Sequence, residues 1–249
     1  MAKQKGVVFF EGTLGGINFY YRKGVPTARR AGGGFSAKAI KTSSNMVRVR
    51  ESNSEFALCS VINKHFKLAL KPFMNGYKDG TFHYRLMRLF LSIKDLDVTS
   101  ERGQRTVGIG YATEYGPRVL SDFVVTPERP QLFSCSYAFD WDALRLDVRN
   151  FSIAAAKFPK GADVMEVVVG VLRFDFETCT YTSVMADALY VPRDFEASSF
   201  SITVDGLPEG NGVLVAVARV AFYQQVNGGL FLLSGAAGFG VAMFGCYDV

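Results

Sequence analysis

The order of apolar and polar positions changes period along the chain, and each change marks a new kind of element. Near the start, residues 6–10 (Gly-Val-Val-Phe-Phe) and 17–22 (Ile-Asn-Phe-Tyr-Tyr-Arg) are short apolar and aromatic runs. Gly12, Gly15 and Gly16 lie between them and supply the positive-φ positions that a tight connection needs. The pattern predicts a β-hairpin. A turn at Lys23-Gly24 leads into a third short strand over 25–30, which Ala31-Gly32-Gly33-Gly34 breaks. Residues 36–45 are polar and predict a surface excursion.

From residue 48 to 70 the period becomes helical. Val49, Phe56, Leu58, Val61, Ile62, Phe66, Leu68, Ala69 and Leu70 recur mostly at spacings of three and four. Ser52 and Glu55 have the spacing of a capping box, which places the helix start near Asn53. Pro72 and Gly76 end it. A second helix is predicted over 81–93, where Phe82, Leu86, Leu89, Phe90 and Ile93 form one stripe. Asp79-Gly80 is the turn between the two, giving an αα-hairpin.

From about residue 105 the period shortens to β runs separated by turn residues. Strands are predicted over 132–139, 143–150, 164–174, 181–186, 199–204, 212–225, 229–233 and 241–247. The breaks include Pro127 and Pro130, Asp140-Trp141-Asp142, Pro159-Lys160-Gly161, Pro192, Asp205-Gly206-Leu207-Pro208 and Asn227-Gly228. The last is a strong hairpin signal. The expected fold is therefore mainly β (α+β): an N-terminal β-hairpin, a short αα-hairpin and a C-terminal antiparallel β-sandwich of about eight strands. The expected divisions are 1–35, 36–105 and 106–249.

Composition supports a packed chain. Hydrophobic residues make up 49% and aromatics 14%, which excludes a disordered chain. No apolar run approaches about 18 residues, so no membrane-spanning helix is expected. The apolar stretch after the basic start ends at Glu11, too short for a secretory leader, so synthesis in the cytoplasm is expected and the final location is left open. Cys59, Cys135, Cys179 and Cys246 are far apart and read as free or buried thiols. The terminal Cys-Tyr-Asp-Val is a poor prenylation box.

Charge changes the picture more. Residues 1–105 hold 19 Lys+Arg and 7 Asp+Glu, whereas residues 106–249 hold 9 and 16. The modest overall charge of +5 thus hides one basic and one acidic portion. Such a chain is electrostatically complementary to copies of itself.

Catalytic chemistry finds little footing. His65 and His83, the two histidines, lie in predicted helices without ligand partners at metal spacing. No G-x-S-x-G elbow supplies a nucleophile. The glycines at 32–34 and at 235, 238 and 240 fit neither phosphate-binding spacing. Asp140 and Asp142 read as a turn, and Asp175 and Glu177 as the solvated side of a strand end. No catalytic, cofactor-binding or metal residue is expected, and no cofactor. Arg22, Lys23, Arg29 and Arg30 next to Tyr20 and Tyr21 have the chemistry of a single-strand nucleic-acid binder. The acidic remainder would repel a polyanion, so nucleic acid ranks second among partners, behind the chain itself.

Three blocks resemble a group of uncharacterised proteins from Bacteroidetes genomes. They are Lys5-Gly6 with Gly12-Thr13-Leu14-Gly15-Gly16-Ile17-Asn18-Phe19-Tyr20; Arg48-Val49-Arg50-Glu51 with Glu55-Phe56; and Phe222-Tyr223-Gln224-Gln225-Val226-Asn227-Gly228. The chain departs from that pattern at Ala31, where an acid-lysine pair is usual. The resemblance implies a Bacteroidetes origin, an N-terminal hairpin, a helical segment and a C-terminal sandwich. It implies no activity and no catalytic residues.

These readings lead to a non-enzymatic structural protein that self-assembles head to tail into a filament, tube or similar polymer. The N-terminal hairpin would pair with a neighbour's sheet edge. Val7, Val8, Phe9, Phe10, Ile17, Phe19, Tyr20 and Tyr21 are the expected contact strands, with Arg22, Lys23, Arg29 and Arg30 as positive partners. Asp175, Glu177, Asp194 and Glu196 are the expected negative ones. The alternative is a nucleic-acid or protein-binding module that uses the basic N-terminal third.

Overall fold

A computed structural model describes residues 2–32, 36–74, 77–233, 235 and 238–245. The chain divides into two compact units, Met1–Arg50 and Glu51–Val249. The expected divisions at 35/36 and 105/106 do not coincide with this one. The helical segment and the following strands share a core, so nothing separates them at residue 105.

The first unit holds four antiparallel strands: β1 (Ala2–Lys3), β2 (Gly12–Leu14), β3 (Ile17–Arg22) and β4 (Val25–Arg30), in the order β1-β4-β3-β2. The expected strand over residues 6–10 is not formed. The first hairpin instead joins β2 to β3 through Gly15 and Gly16, both at positive φ. The polar stretch after it carries a short helix, α1 (Ala37–Thr42), capped by the Ser36 hydroxyl.

The second unit is built around two long strands, β7 (Val164–Phe174) and β11 (Val213–Val226), paired antiparallel along their length from Val164↔Tyr223 to Phe174↔Val213. Both are rich in apolar residues, valine above all, because both of their faces are buried along most of their length. On the outer side of β11 lie β12 (Gly229–Leu232) and β13 (Phe239–Gly245). On the outer side of β7 lie β8 (Tyr181–Met185) and β9 (Leu189–Pro192). A second sheet orders β10 (Ser199–Thr203), β6 (Arg145–Arg149) and β5 (Ser136–Asp140).

The six-stranded sheet therefore has two cores. Val167, Val169, Ala216 and Phe222 pack toward Leu146, Val148 and Ile202 of the small sheet, which forms the sandwich. Phe174, Val215 and Val217 pack on the opposite face against helices. These are α2 (Val47–Ala69), α3 (Phe82–Lys94), α4 (Val107–Tyr111) and α5 (Gly116–Ser121). A last short helix, α6 (Ile153–Ala156), follows β6. Fully burying one such Val, Leu or Phe side chain is worth about 1.5–3 kcal/mol, so both faces contribute.

The capping-box expectation is corrected. α2 begins at Val47, two turns before Glu55, and Glu55 points inward and is buried. Its carboxylate accepts from Arg105 Nε and a terminal guanidinium nitrogen, Lys94 Nζ and Gly103 N, each at 2.8 Å. Asp97, also buried, accepts from the backbone N–H groups of Thr99, Ser100 and Thr106. Burial pushes the Asp97 carboxyl up, but these backbone donors more than offset it and hold it well below the usual carboxylate range. The two acids fix the connection from α3 to α4 by satisfying its backbone donors.

Candidate functional site

Strand register makes the N-terminal sheet two-faced. The pairs Leu14↔Ile17, Ile17↔Arg30, Phe19↔Ala28 and Tyr21↔Pro26 put Leu14, Ile17, Phe19, Tyr21, Pro26 and Ala28 on one side. Thr13, Asn18, Tyr20, Arg22, Thr27 and Arg29 occupy the other. The apolar side is partly uncovered: Leu14 is 68% exposed and Tyr21 50%, whereas Phe19, Pro26 and Ala28 are half-buried. Among the described residues of this unit, Thr27 alone is buried. A sheet with one apolar face reaches independent stability by burying that face against another layer.

Beside this face runs the segment expected to be a strand. Gln4 pins its ends: Gln4 N donates to Pro26 O at 3.0 Å, while Gln4 Oε1 accepts from Phe10 N at 2.9 Å. The Phe10 ring packs on Phe19 at 5.6 Å. Between the pinned ends, Val7 is fully exposed, and Val8 and Phe9 are exposed as well. Their backbone is held out of the sheet by the side-chain clamp rather than by strand pairing.

The basic residues do not form one patch. Arg22 and Arg29 are on the polar face, and Arg29 lies 5.5 Å from the centre of the Tyr20 ring. Arg30 is on the apolar face opposite Ile17. Lys23 sits at the β3–β4 turn at φ 51°.

The expected negative partners are not brought together either. Asp175 follows the last residue of β7, whereas Asp194 and Glu196 follow β9, which pairs with the first residues of β7. A strand of that length separates them by roughly 30 Å. Asp175 is occupied within its own turn. It accepts from Thr178 Oγ1 at 2.8 Å and Glu177 N at 2.7 Å, and these bonds, the hydroxyl first, lower its pKa. Glu177, Asp194 and Glu196 are exposed.

A complementary apolar surface lies elsewhere, in a strand that the sequence places but does not mark as functional. β12 is an edge strand carrying Leu230, Phe231 and Leu232, with Phe231 60% exposed. Its signal is the run Gly-Leu-Phe-Leu-Leu after Asn227-Gly228, which has no polar alternation. Exposed apolar edges are templates for further strand pairing.

Among the described residues no group of three or more His, Cys, Asp or Glu side chains converges in a metal-ligating arrangement. No described helix is long and apolar enough to cross a membrane. No family model, curated protein or solved structure matches the chain.

Proposed function

We propose that the chain is a non-enzymatic structural protein that assembles with copies of itself. The observation that carries this reading is the set of exposed apolar side chains, Leu14, Ile17 and Tyr21, on one face of the N-terminal sheet. A second copy is the occupant because the charges of the two units are opposite. Residues 1–50 carry ten Lys+Arg against Glu11 alone, and residues 51–249 carry 18 against 22 acids. The acceptor is the apolar edge at β12, reached by the N-terminal sheet of the next copy. Donor and acceptor differ, so the contact is heterologous and propagates into a filament or tube.

The test is negative-stain microscopy and sedimentation of the full chain at low and moderate salt. Regular polymers are expected. Ile17→Lys with Tyr21→Lys, on the apolar face, should leave monomers, while Thr13→Lys on the polar face should not. A monodisperse monomer in every condition overturns the proposal.

A further inference from the structure

The second unit carries a groove of about 1440 Å³ whose chemistry is separate from the N-terminal sheet. One wall is the outward face of α2, where Val61, Lys64, Lys67 and Leu68 follow one another at spacings of three and four or one step from them, with Lys71 in the turn just past its end. The connection to α3 and the start of that helix supply Met74, Lys78, Phe82 and His83, and Tyr181 of β8 closes the end.

The lining sorts into a floor and a rim. Val61, Leu68, Met74 and Phe82 make the floor apolar, and Val61 stays 51% exposed although it lies on a long helix. Lys64, Lys67, Lys71 and Lys78 are all exposed around it. The one acid in the lining, Asp79, is already engaged. It is ion-paired with Arg85 and accepts from Thr81 N at 2.6 Å and Thr81 Oγ1 at 2.7 Å. The groove thus offers an apolar surface under four cations with no unengaged carboxylate in its lining.

We propose that this groove docks an acidic amphipathic helix of a partner protein. Small-molecule pockets reach roughly 1,000 Å³, so this volume suits a polymer segment. The α2 wall from residue 60 to 69 is about 14 Å long, or about two and a half helical turns, and the turn carrying Lys71 extends it. A helix of that length sets three or four apolar side chains on the floor and its glutamates against the lysines. Single-stranded nucleic acid fits less well, because it uses open aromatic faces. Here the Tyr77 ring is stacked on Phe239 at 5.2 Å and its hydroxyl donates to Glu128 at 3.0 Å, and the half-exposed Tyr181 ring already has one face stacked on Phe174 at 6.5 Å. His83 is held from behind: the buried Asn63 amide donates to its carbonyl at 3.1 Å and sits 3.3 Å from its Nδ1.

The test is fluorescence anisotropy on the full chain carrying Ile17→Lys and Tyr21→Lys, so that assembly does not interfere. The probe is a labelled synthetic peptide of roughly 15 residues with leucine at helical spacing and glutamate elsewhere. Saturable binding is expected, weakening as salt rises. A counterpart with lysine for glutamate, and polyglutamate without leucine, should bind at least about tenfold more weakly. Lys64→Glu with Lys67→Glu and Lys71→Glu should weaken the acidic peptide by at least about tenfold, as should Leu68→Asp. Lys160→Glu, outside the groove, should not. Circular dichroism checks that each variant is folded. Equal binding of the peptides, no effect of the groove substitutions, or tighter binding of single-stranded oligothymidylate overturns the proposal. None of these outcomes bears on self-assembly, which is read in a separate assay.

Discussion

Glu55 and Arg105, fifty positions apart, meet in a two-point pair in which both carboxylate oxygens accept from the guanidinium at 2.8 Å. Lys94 and the Gly103 N–H complete the shell around the buried carboxylate. Removing it leaves the buried Lys94 and the half-buried Arg105 with the exposed Asp95 as their remaining ion-pair partner, and losing the buried member of such a group is the costly half. Glu55→Gln is expected to lower unfolding stability by roughly 3–5 kcal/mol at neutral pH, measured by urea denaturation.

The same group sets an acid limit. The Arg105 guanidinium first, and then Lys94 and the Gly103 N–H against the opposing effect of burial, draw the Glu55 pKa from 4.5 to about 2. A carboxylate lowered in this way contributes stability that is complete above its unfolded pKa and is lost as pH falls through the folded one. The difference between the unaltered chain and Glu55→Gln should therefore be full at pH 7 and shrink between about pH 4.5 and 2. Urea midpoints that stay equally far apart across that window would contradict the assignment.

Gly110 lets α4 approach α3. A Cβ there would stand 2.0 Å from the Ile93 carbonyl oxygen, which no rotamer change relieves. Gly110→Ala should destabilise the second unit by at least about 1–3 kcal/mol, despite alanine's better helix propensity. A thermal midpoint equal to or above that of the unaltered chain would refute this close approach.

Arg129 ties three segments together. It donates to the carbonyls of Leu132 and Ala156 and lies 4.5 Å from the centre of the Phe222 ring. Burial alone pushes its pKa down to about 10. Arg129→Met should cost about 1–3 kcal/mol for each carbonyl left unpaired. Arg129→Lys should recover little, because an ammonium cannot span both acceptors from one ring face. Full recovery by lysine, read in urea, would reduce the role to charge.

On the acceptor side of the proposed assembly, Phe231→Glu should abolish polymers without changing the circular dichroism spectrum. Polymers persisting in that variant would move the contact away from β12.

Much of the fold was legible because burial on both faces leaves a plain trace. The valine runs at 164–174 and 212–225 foretell β7 and β11 to within a residue. Where the calculation of period had little to grip, elements escaped. α4 and α5 are five and six residues long and contain Gly108, Gly110, Gly116 and Pro117, so neither a stripe nor a propensity marks them. β9 ends on Pro192, which reads as a break but is tolerated at the outer margin of a sheet. Glu55 imitates a cap because local spacing cannot register partners at 94, 103 and 105. Residues 7–10 have strand composition, yet the Phe10 N–H is taken by the Gln4 side chain, a contact across six positions, instead of by a neighbouring strand. The groove did leave a sign: Lys64, Lys67 and Lys71 stand at helical spacing on one side of α2 and the turn just past its end, hidden in a count of basic residues.

The strands β7 and β11 act as a party wall. Along their paired core most apolar residues serve either the helical layer or the small sheet, and in β11 from Leu214 to Ala218 neighbours in sequence serve opposite sides. A slip of one position would exchange the two sets and ruin both layers at once. Neither layer can melt alone without stripping one side of the wall. Trp141, the single tryptophan, reports from the small-sheet side, where its ring meets Phe139 at 4.9 Å, and far-ultraviolet circular dichroism at the helical wavelengths reports chiefly from the other. Their unfolding curves should superimpose.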